Sequence, residues 1–424
     1  MANSLTSNVS TVVIPKFMEA FKANRVILNT VDRQTFDGQF TPAVGTTLYT
    51  KRPHDYNVSS TADGDLTSET KSDITSGRAA CVVQNFQTVF VDWTILEQAT
   101  SMDQMEEILA PMATRLVTNL ETNFASYMLT RTGLVYGAVG TAIDAWSDVA
   151  GAGAHMKALG VPEDSSWYYV ASPQVCAVLA GLQATTISPA QGTKVDTAWE
   201  RAMVSKNMGG FQVLSSNALA TRTNTTAADL AGALSSTPTL TYAGAKDTMT
   251  QSWAVSGFTA SAVIKAGSVV EVTGRYYVSR ASRQAVLDSA GAQVKFRAVV
   301  TADVTLSTAG AGTIVVSAPA IYEATGAYNT TVAAVASSDV VTILGTSAAV
   351  YQPALAYHPK AFTLTTVKLP KLSATDSYTA TEDGITLRFT KWADATKNQN
   401  KLRVDLLPAY GTLNPFFAAQ CYGV

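Results

Sequence analysis

The side chains that most often carry chemistry are thinly spread in this sequence, and the densest group is an acidic stretch, TADGDLTSETKSD. It places Asp63, Asp65 and Glu69 close together, as carboxylates are placed in calcium-binding loops. The three residues miss the ligand spacing of an EF-hand loop, so the stretch is predicted to be a solvent-exposed loop. Glu106 and Glu107 form a further close carboxylate pair, on the charged face of a predicted helix rather than in a cleft.

Cysteines and histidines could bind a metal or act in catalysis. They are Cys81, Cys176, Cys421, His54, His155 and His358. No two cysteines have the spacing of a metal site or a redox pair, and their odd number argues against a disulfide framework. The sequence also lacks a GxSxG nucleophile motif, a P-loop and a GxGxxG fingerprint after a strand. We therefore expect no enzymatic activity, no cofactor and no metal site.

The charge balance argues against direct binding of nucleic acid. The 424 residues carry 30 Lys and Arg against 32 Asp and Glu, a net charge of −2, whereas such binding depends on many basic contacts to phosphates. Charged residues make up only 15% of the chain, compared with about 25% in a typical soluble domain. A surface poor in charge and rich in Thr, Ser and Ala suits stable contact with other chains, although it is also common in secreted β-proteins.

No targeting or membrane segment is predicted. The N-terminal sequence, MANSLTSNVSTVVIPKF, has no charged region followed by an apolar run, the pattern of a signal peptide. No apolar stretch approaches about 18 residues, the length needed for a membrane-spanning helix. We expect synthesis in the cytoplasm and no membrane partner.

The acidic stretch lies between two segments that alternate like β-strands, residues 46–51 and 80–93. We predict that these segments form one long hairpin. A two-stranded hairpin is only marginally stable in water, and structureless loops longer than about 12–15 residues are usually functional or disordered. If the hairpin is ordered, another surface must support it.

Two helices flank this hairpin. Residues 9–28 have helix-like apolar spacing and form either a helix docked on its own domain or an arm that reaches a partner. A longer apolar stripe follows the hairpin and predicts one long helix, in which Pro111 produces a kink or a restart. The stripe consists of Met102, Met105, Ile108, Leu109, Met112, Leu116, Leu120, Phe124 and Met128.

The rest of the sequence changes character twice. Residues 134–221 alternate helical and strand-like segments, including a strand at 167–171, which indicates a mixed α/β domain. From 222 to about 351, short β-runs separated by Gly, Asp and Ser turns predict an all-β barrel or sandwich without helices. A β-module that interrupts an α/β domain is an insertion. Strands at 385–392 and 402–407 then form a hairpin.

The order of these elements resembles that of tailed-bacteriophage major capsid proteins, and more narrowly the coat proteins of short-tailed phages that carry an inserted β-barrel. The stretches that carry the resemblance are TVDRQ (30–34), KRPH (51–54), MEEILAP (105–111), VTNLET (117–122), IKAGSVVEVTG (264–274), LPKL (369–372) and RVDLLPAY (403–410). The implied α+β fold has an N-terminal arm (1–33), an extended hairpin loop (34–93), the spine helix of a peripheral domain (94–133), an axial domain (134–221), an inserted β-barrel (222–352) and a return to the axial and peripheral domains with a C-terminal hairpin (353–424).

The resemblance implies a major capsid protein that self-assembles into an icosahedral head around double-stranded DNA, through a scaffolded procapsid that matures by expansion. The implied partners are further copies of the chain in hexamers and pentamers, a scaffolding protein, a portal protein and, indirectly, the packaged DNA. The protein would be a component of the virion, assembled in the host cytoplasm.

The resemblance also assigns candidate contact residues. The extended loop would lie over a neighbouring subunit, a loop of the barrel would reach across a local twofold axis, and the N-terminal segment would meet the scaffold. The candidates are Lys51, Arg52, Asp63, Asp65, Glu69, Lys71 and Asp73 for the extended loop, Lys246 and Asp247 for the twofold contact, and Lys16, Glu19, Lys22 and Arg25 for the scaffold.

A second interpretation is a β-rich decoration or adhesin-like surface protein, which the Thr-, Ala- and Gly-rich barrel segment suggests. The missing export signal and the long Met-striped helix argue against this class of protein.

Overall fold

In the computed structural model, the described residues are 14–23, 25–33, 47–52, 56, 58–69, 76–94, 105–186, 204, 206–238, 240–324, 327–372, 375–382 and 384–424. The chain divides into two compact units, each built from discontinuous segments. The first unit comprises Met1–Tyr49, Ala80–Ala125 and Phe362–Gly411, and the second comprises Thr50–Ala79, Ser126–Ala361 and Thr412–Val424.

The helices follow the periodic stretches of the sequence. The α-helices are Ile14–Ala23, Met105–Arg131, Trp146–Ala158, Pro173–Thr186 and Tyr242–Ala245, and 3-10 turns occur at Ile27–Asn29, Pro359–Ala361 and Pro415–Phe417. Along the longest helix the predicted stripe is buried from Leu109 to Met128, with Leu120 and Phe124 fully buried. The helix is continuous at Pro111, because burial of the stripe maintains it across the one hydrogen bond that proline removes. Within the described residues, no helix is both long and apolar enough to cross a membrane.

The strands between residues 32 and 94 and between residues 362 and 412 form two sheets. In strand order, the five-stranded sheet is Asp32–Arg33, Phe362–Thr366, Pro408–Thr412, Arg78–Val83 and Thr47–Lys51. The four-stranded sheet is Asp376–Glu382, Ile385–Asp394, Gln399–Leu406 and Gln87–Thr94. The last of these sheets therefore contains the predicted pair of strands near residues 385 and 402, in antiparallel register.

The N-terminal helix docks on its own unit. Phe17 and Phe21 are fully buried, and the Phe17 ring meets Phe389 of the four-stranded sheet edge-on, with 5.2 Å between ring centroids. Of the two alternatives that the sequence left open, the structure has the docked helix. The aromatic contact between helix and sheet fixes the helix by burial of apolar area.

The second unit combines a six-stranded sheet with a closed barrel. The sheet order is Leu134–Tyr136, Ala418–Cys421, Ala354–Tyr357, Trp167–Ala171, Phe211–Ser215 and Asn207–Met208. The barrel order is Ala231–Leu234, Thr250–Ser256, Gly312–Ser317, Lys295–Val300, Val269–Tyr276 and Val340–Ile343. Two short pairs accompany them, Val263–Ile264 with Val304–Thr305 and Arg222–Thr223 with Val350–Tyr351.

One continuous hydrophobic core runs through this second unit. It includes Tyr169 and Phe211 of the six-stranded sheet and Trp253 and Phe296 of the barrel. The predicted strand 167–171 is confirmed at Trp167–Ala171. The α+β class and the β-barrel expected from the sequence are therefore present, and the barrel shares its core with the α/β part of the same unit.

Two expectations from the sequence were wrong in detail. The strand predicted at 80–93 is two strands, Arg78–Val83 and Gln87–Thr94, which belong to different sheets. The barrel segment, expected to lack helices, contains the one-turn helix Tyr242–Ala245. Its N-cap is Thr241, whose side chain accepts a hydrogen bond from the backbone N–H of Gly244 at 3.3 Å, and such caps stabilise a helix start where no periodic stripe exists.

Candidate subunit-contact site

The site lies within the extended hairpin loop predicted for residues 34–93. It consists of residues 50–79, called the extended loop from here on, together with the part of the barrel that contacts the two ends of these residues. The strands Thr47–Lys51 and Arg78–Val83 are neighbours in the five-stranded sheet, so the chain leaves and returns at one place. Just beyond the strands, the backbone N–H of Arg52 donates to the carbonyl oxygen of Gly77 at 2.8 Å. The predicted hairpin is therefore present at its base.

The Arg52 side chain is committed to its own chain. It is only 6% exposed, and its guanidinium donates to the backbone oxygens of Leu413 at 2.5 Å, Thr412 at 3.2 Å and Asp247 at 3.5 Å. Burial lowers the pKa of Arg52 to about 10, so it remains a cation at neutral pH. A buried cation of this kind is held by carbonyl dipoles and would be costly to release without them.

The barrel approaches the loop through the turn that follows its one-turn helix. Lys246 Nζ donates to the backbone oxygen of Ser76 at 3.2 Å, and Asp247 Oδ1 accepts from the backbone N–H of Arg78 at 3.1 Å. A Cβ atom on Gly77 would lie 2.6 Å from the backbone oxygen of Lys246, so a side chain at this position would not fit. We call these contacts the loop–barrel junction, formed by Arg52, Ser76, Gly77, Arg78, Lys246 and Asp247.

The junction joins candidates from two predicted groups. Arg52 was assigned to the extended loop, and Lys246 and Asp247 to a twofold contact, yet these three residues meet within one chain. Sequence reasoning missed this junction because Arg52 and Asp247 are far apart in sequence, and the KRPH stretch that contains Arg52 does not indicate its partner. Contacts of the other loop candidates with a neighbouring chain stay a prediction.

The tip of the loop, of which residues 58–69 are described, is exposed except for the partly buried Thr61. The hydrogen bonds within it are local turns. The backbone N–H of Asp65 donates to Asp63 Oδ1 at 3.1 Å, and Asp65 Oδ1 accepts from the backbone N–H of Thr67 at 2.9 Å and from its hydroxyl. These bonds from Thr67 lower the pKa of Asp65. Lys51 and Glu69 are also exposed, whereas Lys71 and Asp73 lie outside the described residues.

Exposed apolar side chains stand out in the same loop. Val58 is 94% exposed, and Tyr56 and Leu66 are also largely in solvent. Apolar side chains that are exposed in the single chain can be buried against another protein. The tip therefore combines charged turns with apolar side chains suited to burial against a second molecule.

The N-terminal candidates divide into exposed and buried residues. Glu19 is exposed and Lys22 is partly buried. Lys16 lies in the helix Ile14–Ala23, but its side chain is not among those described. Arg25 is buried, and its guanidinium carbon lies 5.8 Å from the centroid of the Phe21 ring. Arg25 is thus packed against its own unit, while Glu19 presents a charge to solvent.

Glu121 is a buried residue that sequence reasoning missed. Its carboxylate accepts from the backbone N–H groups of Val26 at 2.6 Å and Leu28 at 3.2 Å, so it anchors the chain just after the N-terminal helix to the long helix. Burial raises the pKa of Glu121, and these hydrogen bonds oppose the rise. The sequence offered one indication that Glu121 is buried, namely that it directly follows Leu120 of the predicted apolar stripe.

One polar cluster has the residue types of a hydrolase triad but not its geometry. His358 Nε2 lies 2.6 Å from Asp164 Oδ1 and 2.7 Å from Ser165 Oγ, while His358 Nδ1 accepts from the backbone N–H of Lys360 at 3.1 Å. In a catalytic triad the carboxylate and the hydroxyl lie on opposite ring nitrogens. Hydrogen bonds from Lys360 and His358 lower the pKa of Asp164 to about 2. Asp164 is therefore ionised at neutral pH, and its salt bridge with Lys360 links two segments that are distant in the sequence.

Comparison with known proteins identifies relatives over the full length of the chain. The family model described as P22 coat protein - gene protein 5 matches residues 1–423. A major capsid protein of Acyrthosiphon pisum secondary endosymbiont phage 1 is 35% identical over 428 residues, which is 100% of each chain. A solved structure from Mycobacterium phage Che8 has a TM-score of 0.45 at 9% identity and covers 94% of this chain and 92% of its own. One from the capsid of the cyanophage P-SCSP1u has a TM-score of 0.45 at 12% identity and covers 93% and 86%.

Proposed function

This chain belongs to the P22 coat protein family and is a phage major capsid protein, and we propose that its copies build the head shell by laying the tip of the extended loop on a neighbouring copy. The observation that carries this proposal is the contrast within the loop. Its base is fixed by the loop–barrel junction, whereas its tip exposes Val58 and Leu66. A loop that is fixed at its base and exposes apolar side chains at its tip is suited to reach a second molecule.

The energetics favour contact between copies. Full burial of a Val or Leu side chain contributes about 1.5–3 kcal/mol, which the isolated chain does not gain at Val58 or Leu66. A shell repeats the same contact many times between identical chains, so each contact can be modest. The low charge content of the chain as a whole also suits self-association, because charged residues are depleted in the core of protein interfaces.

Further partners follow from the same role. We propose assembly as hexamers and pentamers on a scaffolding protein, with a portal protein, into a procapsid that expands around double-stranded DNA. Glu19 and Lys22 are the N-terminal candidates for the scaffold contact whose side chains are described and not buried. Ion pairs at exposed positions contribute only about 0–1 kcal/mol each and are screened by salt. A contact of this strength suits a scaffolding protein that must later leave. A net charge of −2 suits a wall that encloses DNA without binding it tightly. We propose no catalytic role.

The test compares two equally exposed leucines. Leu66 of the loop tip is 59% exposed, and Leu287, between the barrel strands Val269–Tyr276 and Lys295–Val300, is 56% exposed. Leu66→Asp should strongly reduce the yield of shells, measured by sedimentation and negative-stain electron microscopy, because it places a charge in the proposed interface. Leu287→Asp is the matched control and should assemble as the unmodified protein does. Equal assembly of both variants would contradict the role of the tip.

A further inference from the structure

The barrel contacts the extended loop through residues that are not part of its closed ring of strands. Its six strands already form a closed hydrogen-bonded ring. Lys246 and Asp247 lie outside this ring, between the one-turn helix Tyr242–Ala245 and the strand Thr250–Ser256. What these two side chains bind is therefore the extended loop rather than the barrel ladder.

The turn that carries them is held firmly against the barrel. The Tyr242 ring stacks on Tyr328 with 3.5 Å between centroids and 3° between planes. Ala245 is fully buried, and the backbone N–H of Met249 donates to the carbonyl oxygen of Ala245 at 2.7 Å. Side chains mounted on a packed element are placed more reproducibly than side chains on a free loop.

Both ends of the extended loop contact this one turn. At the outgoing end, the Arg52 guanidinium donates to the backbone oxygen of Asp247 at 3.5 Å, in addition to its shorter bonds to Leu413 and Thr412. At the returning end, the Asp247 carboxylate accepts from the backbone N–H of Arg78, and Lys246 donates to Ser76. A loop whose two ends rest on the same rigid element leaves the body in a defined direction.

We propose that the barrel is the platform that aims the extended loop, with Lys246 and Asp247 as its positioning residues. The tip then reaches one place on a second copy of this chain instead of sampling many directions. The consequence for assembly rests on the proposed shell function, whereas the platform itself is a property of the single chain. This role is separate from the twofold contact predicted for the same two residues.

The experiment measures hydrogen exchange of the isolated full-length chain in variants of the junction. Asp247→Ala removes the acceptor for the Arg78 N–H, and Gly77→Ala forces the loop away from the Lys246 backbone. Exchange in peptides covering residues 50–56 and 76–83 should become about tenfold faster, the change expected when a hydrogen bond to a charged group is lost. Exchange in the barrel strand Thr250–Ser256 should not change.

Two further variants serve as controls. Asp303 is a matched barrel aspartate that accepts from the backbone N–H of Ala266 at 2.8 Å and from Lys265 Nζ at 2.8 Å. Asp303→Ala should leave exchange in the loop ends unchanged. Asp247→Asn keeps a side-chain oxygen that can accept from Arg78, so it should restore most of the protection that Asp247→Ala loses.

Assembly provides the second measurement. The critical concentration for shell formation should rise about tenfold for Asp247→Ala and Gly77→Ala, within the range typical of coupling between sites, and should not rise for Asp303→Ala. Loop ends that exchange at the unmodified rate in both junction variants would overturn the platform. Faster exchange with unchanged assembly would overturn its role in aiming the loop. Failure of the unmodified protein to form shells would instead reject the proposed function, while the exchange measurement would still decide the platform.

Discussion

The barrel and the extended loop belong to the same compact unit, yet they differ in how their side chains are buried and how their backbones are hydrogen-bonded. In the barrel, six strands bond in a closed ring around fully buried side chains such as Trp253 and Phe296. At the loop tip, side chains face solvent and the hydrogen bonds are local, as between Asp65 and Thr67. Closing a sheet removes the free edges that pair with other chains. The barrel is therefore complete within one molecule, whereas the tip has surface to offer to another.

Deleting residues 57–72 is the strongest way to test that contrast. We expect the deletion to abolish stable shells and to leave the fold of the isolated chain unchanged, because residues 58–69, the described part of the deleted segment, are exposed except for the partly buried Thr61. Circular dichroism would report the fold, and sedimentation with negative-stain microscopy would report assembly. Shells of normal yield from the deleted protein would show that the tip is dispensable.

A second test compares a large side chain from each region. Trp253→Ala should lower the free energy of unfolding of the second unit by about 3–5 kcal/mol, the usual cost of emptying an aromatic site in a core. Leu66→Ala in the loop tip should change it by no more than about 0.5 kcal/mol, as exposed substitutions do. Urea unfolding of the isolated chain measures both. A loss at Leu66 as large as that at Trp253 would mean that the tip is packed in the single molecule.

Excising the barrel tests how complete it is. Residues 222–352 expressed alone should give a folded circular dichroism spectrum dominated by β-structure, because the barrel ring closes within this range. The module should unfold at lower temperature than the intact second unit, since its core is continuous with Tyr169 and Phe211, which the excision removes. A helical or unfolded spectrum would show that the barrel depends on the rest of its unit.

The sequence predicted the regions with regular periodicity well and the contacts between distant segments poorly. The strand Trp167–Ala171 and the buried stripe of the long helix follow from local spacing. The break between Val83 and Gln87 was missed because alternation continues across it while the chain changes sheets. The loop–barrel junction was missed for a related reason: its bonds use backbone groups and single side chains, which leave no pattern.

Two aspartates with lowered pKa values extend the comparison to ionisation. Hydrogen bonds from Lys265 and from the backbone N–H of Ala266 lower the pKa of Asp303 in the barrel. Bonds from Thr67 lower the pKa of Asp65 at the loop tip. The partners of Asp303 lie 38 and 37 residues away, so unfolding separates them. The partner of Asp65 is two residues away and stays close in the unfolded chain.

The smallest expected effect follows from this difference. A carboxylate whose pKa is lowered in the folded state stabilises the fold above its ordinary pKa of about 3.9, and the contribution is lost as the pH falls through the lowered value. At pH 7, Asp303→Asn should therefore lower the free energy of unfolding by no more than about 1 kcal/mol, because the Asp303 side chain is 52% exposed and solvent screens the pair. The loss should shrink as the pH falls below about 3.9 and disappear below the lowered pKa, where Asp303 is neutral in the folded chain as well as in the unfolded chain. Asp65→Asn should show no such dependence. Urea titrations of both variants at neutral and acidic pH would measure this, and a loss at Asp303 that did not change with pH would assign the contribution to packing rather than charge.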